Sequence, residues 1–182
     1  MLFAFNQGEL EVRSEGGATR LRATFPYGAE TELAAGRNEV FAPHAFAASI
    51  GDATREVHLL VGHDFNRPLA SRAAGTMRLR DTDAALEIEA TVDGTTSWAR
   101  DFLAANAARL IKGVSPGFNV PAGGERIERR GSGVLRTVIT AQLVEISVVT
   151  RGAYPLAEIE ARSWSCGAPA VPRPSVLARY RR

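Results

Sequence analysis

The chain has 182 residues, 45% of them apolar and 23% charged, and a formal net charge of +2. That length suits one well-buried core plus a tail and is short for two domains. No stretch approaches the roughly 20 consecutive apolar residues that a bilayer span requires, so no membrane segment is expected. A near-neutral body argues against a nucleic-acid-binding domain, because such domains cluster Lys and Arg on one face.

The N-terminus, MLFAFNQGELEVRSEGG, has apolar residues without a basic region ahead of them or a small-residue cleavage site after them. It does not read as a signal peptide, and a cytoplasmic location is expected. Short segments that alternate apolar and polar residues then recur to about residue 150, the period-2 signature of half-buried strands. LEVRS, TRLRATF and MRLRD are examples. In ALEIEATV, Leu86, Ile88 and Ala90 share one face and Glu87 and Glu89 the other. Turn residues in DTDA and in RRGSGV predict two hairpins, one joining the strands near Met77 and Ala85, the other joining IERR to LRTVIT.

Two segments break this rhythm. PHAFAASI predicts a short helical segment near 43–50. SWARDFLAANAARL predicts the main helix, about 97–110, with Thr95, Thr96 and Ser97 as capping candidates and Trp98, Phe102, Leu103 and Leu110 as its apolar stripe. After Pro155 no period is sustained, and Pro169, Pro172 and Pro174 obstruct regular structure. The expected organisation is a folded domain over 1–160 and a flexible tail over 161–182, with Arg173, Arg179, Arg181 and Arg182 in the tail.

The single cysteine, Cys166, cannot form an internal disulfide and lies in a linker-like stretch. There is no CxxC, no HExxH and no glycine-rich phosphate loop, so neither a metal nor a cofactor is expected. Of the three histidines, His44 and His58 read as structural. His63 lies where the strand EVHLLVG gives way to the turn-rich GHDFNRP, a position that suits an imidazole at a cleft edge as well as it suits a plain turn. Ser115 stands in IKGVSPGFNV between Gly113 and the pair Pro116-Gly117. Glycine allows close approach and proline blocks ladder pairing, so the strand is expected to bend or to lie at an edge, and Ser115 is either an exposed, rigidly held hydroxyl or a polar residue at a bulge.

In QLVEISVV, both strand faces are apolar, which predicts a central strand with Glu145 at least partly buried beside Leu143, Ser147 and Val149. A buried carboxylate requires a partner: an arginine would make a structural ion pair, a histidine would make the orienting member of a triad.

The order GHDFNRPL, a strand pair, a helix, Gly113-x-Ser115-x-Gly117-Phe118 and Glu145-x-Ser147-x-Val149-Thr150 resembles the HK97-type prohead protease family. FAPHAF upstream is similar to the family's Pro-x-Ala-Phe segment, with His44 where glycine is usual. The resemblance covers about residues 38–159. It implies a β-rich α+β fold, a barrel-like, mostly antiparallel sheet with helices similar to the herpesvirus assembly proteases. It also implies a serine endopeptidase with His63 and Ser115 as the reactive pair. Glu145 is the expected third member; Asp64 is the weaker choice, because neighbours on an extended segment point to opposite faces. Backbone amides near Arg151-Gly152 or at Gly117 are the candidate oxyanion donors. The implied substrate is the scaffolding portion of the major capsid protein together with the protease's own tail, inside the immature prohead in the host bacterial cytoplasm. Self-association is implied by the same analogy. The competing expectation is a catalytically inactive capsid-assembly or scaffolding factor of the same fold.

Overall fold

The computed structural model describes residues 1–3, 9–15 and 18–150. The expected tail, with Cys166 and the terminal arginines, lies outside the described residues, as do Arg151 and Gly152. The strands in chain order are β1 (Leu2–Phe3), β2 (Glu9–Glu15), β3 (Ala18–Pro26), β4 (Thr31–Ala34) and β5 (Arg37–Phe41). Helix α1 (Ala47–Gly51) precedes β6 (His58–Val61), β7 (Asp64–Ser71), β8 (Met77–Asp81) and β9 (Ala85–Val92). Helix α2 (Ser97–Ala107) leads into β10 (Gly113–Asn119), β11 (Glu125–Arg130), β12 (Gly133–Val138) and β13 (Gln142–Val149).

These strands form three open sheets, ordered β1-β10-β13-β6-β7, β11-β12-β5-β4 and β2-β3-β9-β8. Pairing is mostly antiparallel, with β5-β12 and β6-β13 parallel. The β-rich α+β class holds, and the barrel-like closure does not. A barrel needs an unbroken ladder that returns to its first strand, whereas among the described residues the end strands of each sheet are not paired with one another. Alternation along a strand reports which face is buried; it carries no information about what the strand's edges meet.

Both predicted hairpins form, β8 with β9 and β11 with β12. Leu86, Ile88 and Ala90 are buried, and Glu89 is exposed on the opposite face. The core is knit by the rings of Phe25, Phe41, Phe46 and Phe118, whose centroids lie 5.1–6.2 Å apart, mostly edge-to-face. Phe118 fixes β10 to that core, and Leu143, Ile146 and Val148 do the same for β13.

Both helices are shorter than the sequence pattern predicts, for backbone reasons. His44 has φ 62°, a left-handed conformation that a right-handed helix cannot include, so α1 begins only after Phe46. The same angle explains why glycine suits this position. The main helix is capped by Thr96, whose hydroxyl accepts the Ala99 amide at 3.3 Å, and it ends at Ala107 instead of 110. Arg109 has φ 61°, its amide donates to the Asn106 carbonyl and that of Leu110 to the Ala105 carbonyl, the pair of bonds that closes a Schellman motif. Leu110, expected on the apolar stripe, is consequently exposed. Ala99 and Phe102 are buried, and Trp98 and Leu103 pack against the core from partly buried positions.

α1 bears on the position of β13. The Ser49 hydroxyl donates to the Ala141 carbonyl at 3.3 Å and accepts the Leu143 amide at 2.9 Å, so the buried side chain of α1 fixes the start of that strand. The Arg72 guanidinium in turn donates to the carbonyls of Ser49, Ile50, Asp52 and Arg55, closing the C-terminal end of the helix.

Candidate active site

β13 is the middle strand of the five-stranded sheet, as its two apolar faces predict, and Glu145 on it is fully buried. On one side β10 runs antiparallel to it, with Ser115 opposite Ser147 and Gly117 opposite Glu145. On the other side β6 runs parallel to it and ends at Val61. The chain then reverses through Gly62 and His63, flanked by the pair Val61 and Asp64. Both turn residues have positive φ, 61° and 64°, the backbone that a two-residue type I′ hairpin turn requires. Histidine is an uncommon residue there, and left-handed backbone costs it roughly 1–2 kcal/mol relative to the right-handed form.

Bonds from β13 hold that turn in place. The Gly62 amide donates to the Val148 carbonyl at 3.1 Å, and the His63 amide donates to the Ser147 hydroxyl at 2.8 Å. The His63 ring is thereby set over β13, with Nδ1 2.8 Å from Glu145 Oε1. The second carboxylate oxygen, Oε2, accepts the Ser147 hydroxyl at 2.6 Å. The buried carboxylate therefore has a partner on each oxygen, and the partner on Oε1 is the histidine, not an arginine.

Gly117 explains how the carboxylate fits. A Cβ built on this residue would lie 2.1 Å from Glu145 Oε1 and 2.9 Å from its Cδ. The Glu145 head thus fills the volume that a side chain at 117 would occupy. Ser115 is two residues away on the same strand, so its side chain leaves the sheet on that same face. His63, Glu145 and Ser115 are in this way brought to one face of one sheet, with Ser147 between them. The imidazole side chain is 23% exposed, while Ser115 is buried and not exposed as its Gly- and Pro-flanked strand suggests, because β10 pairs along its length with the central strand β13. The register of β10 against β13 shifts between Gly117 and Phe118, the bend that the Gly and Pro content of this segment predicts.

Asp64 is directed elsewhere: its Oδ1 accepts the Asn66 amide at 2.9 Å and its Oδ2 lies 3.2 Å from Arg67 Nε. His58 sits in β6 with its ring edge-on to Phe65, centroids 6.4 Å apart. His44 lies in a separate surface group, its Nδ1 2.7 Å from Asp81 Oδ2 and its Nε2 2.7 Å from Asp83 Oδ1. The hydrogen bonds to those two carboxylates raise the His44 pKa above the ordinary histidine value. Tyr27 donates to Asp81 Oδ1 at 2.6 Å, and burial followed by the Asp81 bond pushes its phenol pKa upward. Among the described residues no group of His, Cys, Asp and Glu is arranged to hold a metal ion.

The sequence alone gives Ser147 no role. Its place two residues after Glu145 on the same strand face was legible, but its bond to a backbone amide of a turn 84 positions away was not.

The sequence model for the caudovirus prohead serine protease matches residues 9–168. The chain belongs to the prohead serine protease family. No curated protein and no solved structure matches it. As a member of that family it is a serine protease of phage capsid maturation, which works with phage capsid proteins in the assembling prohead. A prohead serine protease needs an activated hydroxyl, a base and a donor for the oxyanion. Of the oxyanion donors expected from sequence, only the Gly117 amide falls among the described residues, since Pro116 has no N–H.

Proposed function

We propose that this prohead protease cleaves peptide bonds with Ser115 as nucleophile, His63 as general base and acid, and Glu145 as the carboxylate that orients the imidazole. The observation that carries the reading is the bond from His63 Nδ1 to the buried Glu145 Oε1, made on the sheet face that also bears Ser115. A carboxylate at Nδ1 selects the tautomer with its proton on that nitrogen and makes Nε2 the proton-accepting atom. Nε2 takes the Ser115 proton as Oγ attacks the scissile carbonyl, and returns it to the leaving amine. Water then hydrolyses the acyl-enzyme by the same route in reverse. The Glu145 charge stabilises the imidazolium formed at each attack.

The substrate in this reading is the scaffolding segment of the major capsid protein, and the protease's own tail, 161–182, is a second one. Co-expression with the cognate capsid protein tests the reading. The wild type shortens the capsid protein, and His63→Ala and Ser115→Ala leave it full length. Full-length capsid protein with the wild type as well would favour an inactive assembly factor of the same fold.

A further inference from the structure

We infer that Ser147 is a positioning residue of the proteolytic site, whose hydroxyl fixes the base and its carboxylate together. The inference rests on the reading of Ser115, His63 and Glu145 given above. Ser147 is fully buried at the centre of the sheet, where a hydroxyl is costly to leave unbonded. It has one proton to give and lone pairs to receive with, and it uses both kinds of capacity on the site: the proton goes to Glu145 Oε2 at 2.6 Å, and a lone pair takes the His63 amide at 2.8 Å.

The two bonds act on different parts of the geometry. The bond to Oε2 fixes the rotation of the carboxylate about its last side-chain bond, which keeps Oε1 aimed at His63 Nδ1. The bond from the His63 amide anchors the backbone of a residue held at φ 64° and so helps hold the strained turn against β13. One hydroxyl therefore couples the backbone of the base to the head group of its partner, and it does so from the position directly opposite Ser115. An apolar group here would leave Oε2 and the His63 amide each short of a partner, and the imidazole would lose its fixed angle. Misplacement of a catalytic group by about 1 Å can cost roughly 100-fold in rate.

The full-length chain, labelled with a fluorophosphonate, provides the test. In that reaction the Ser115 Oγ–P bond forms as P–F breaks, the serine proton passes to His63 and fluoride leaves. Ser147→Thr keeps the hydroxyl, Ser147→Val has the same shape without it, and Ser147→Ala removes it without adding bulk. We expect the wild type and Ser147→Thr to label at Ser115 at similar maximal rates, and the Val and Ala variants to label about 10- to 100-fold more slowly with an unchanged half-saturating concentration. Ala or Val at the wild-type rate, or Thr slowed as much as Val, overturns the positioning role. Absence of label on Ser115 in the wild type overturns the nucleophile assignment itself, a distinct result read from the labelled peptide by mass spectrometry.

Discussion

The Glu145 carboxylate stands in the space that a side chain on Gly117 would take, with a Cβ there only 2.1 Å from Oε1. The two residues are directly opposite on β10 and β13, so neither strand can yield without breaking its register. Gly117→Ala must therefore turn the carboxylate away from His63 Nδ1. The expected outcome is a loss of capsid cleavage of about 100-fold or more, because the base loses its orientation. Overpacking adds a destabilisation of about 1–3 kcal/mol. Parallel cleavage and denaturation measurements check it; an Ala variant that cleaves at the wild-type rate would show that Glu145 does not orient the base.

Glu145→Gln separates charge from shape. The amide is nearly the same size and can still donate to or accept from Ser147 and His63, but it carries no charge to stabilise the imidazolium and can impose the wrong tautomer. A fall of roughly ten-thousand-fold in the rate of the cleavage step is expected, the scale seen when a triad carboxylate is made an amide. Single-turnover kinetics on a capsid-derived peptide measures it.

Much of this site could be read in the sequence because its parts are local. Two apolar faces mark the strand of Glu145 as central, the Gly and Pro around Ser115 mark a bent strand, and the turn residues around His63 mark a strand end. What joined them is not local. The partner of Glu145 was open between an arginine and a histidine, and only the register of β10, β13 and β6, set by burial across the whole sheet, decides between them. The helix ends differ from the sequence pattern for a backbone reason. Histidine is only enriched at positive φ and arginine is not, so neither His44 nor Arg109 marks a helix boundary in the sequence as a glycine would. The barrel was expected by analogy with related folds, and strand patterns have no means of testing closure.

His44 confers a pH dependence on stability that is independent of catalysis. Its hydrogen bonds to Asp81 and Asp83 raise its folded-state pKa above the unfolded value. The charged form is thus favoured by folding. Its contribution is fully present below about pH 6.5, the unfolded histidine value, and is lost as pH rises through the folded value. His44→Gly suits the local φ of 62° and removes the titrating group. Denaturation at pH 6 and pH 9 should show the wild type losing more stability than this variant over that interval. Equal losses in both proteins would mean that the bridge between the two aspartates contributes nothing in solution.

Arg136 predicts a different kind of sensitivity, because it is the largest fully buried side chain among the described residues and carries a charge. It lies on β12 between β11 and β5. Its guanidinium bonds Glu39, its register partner on β5, and donates from Nε to Glu125 Oε2 at 2.7 Å. Glu39 is itself almost wholly buried. Arg136→Met keeps much of the volume but takes the guanidinium charge away from the buried Glu39 carboxylate, so a destabilisation of about 3–5 kcal/mol is expected. The second substitution Glu39→Leu removes the buried negative charge as well, and the double variant should recover most of that loss, since a buried ion pair replaced by apolar groups of similar volume is often close to neutral. Urea denaturation of the two single variants and the double variant closes the cycle. Strict additivity of the single losses would show that the two charges do not act as a pair.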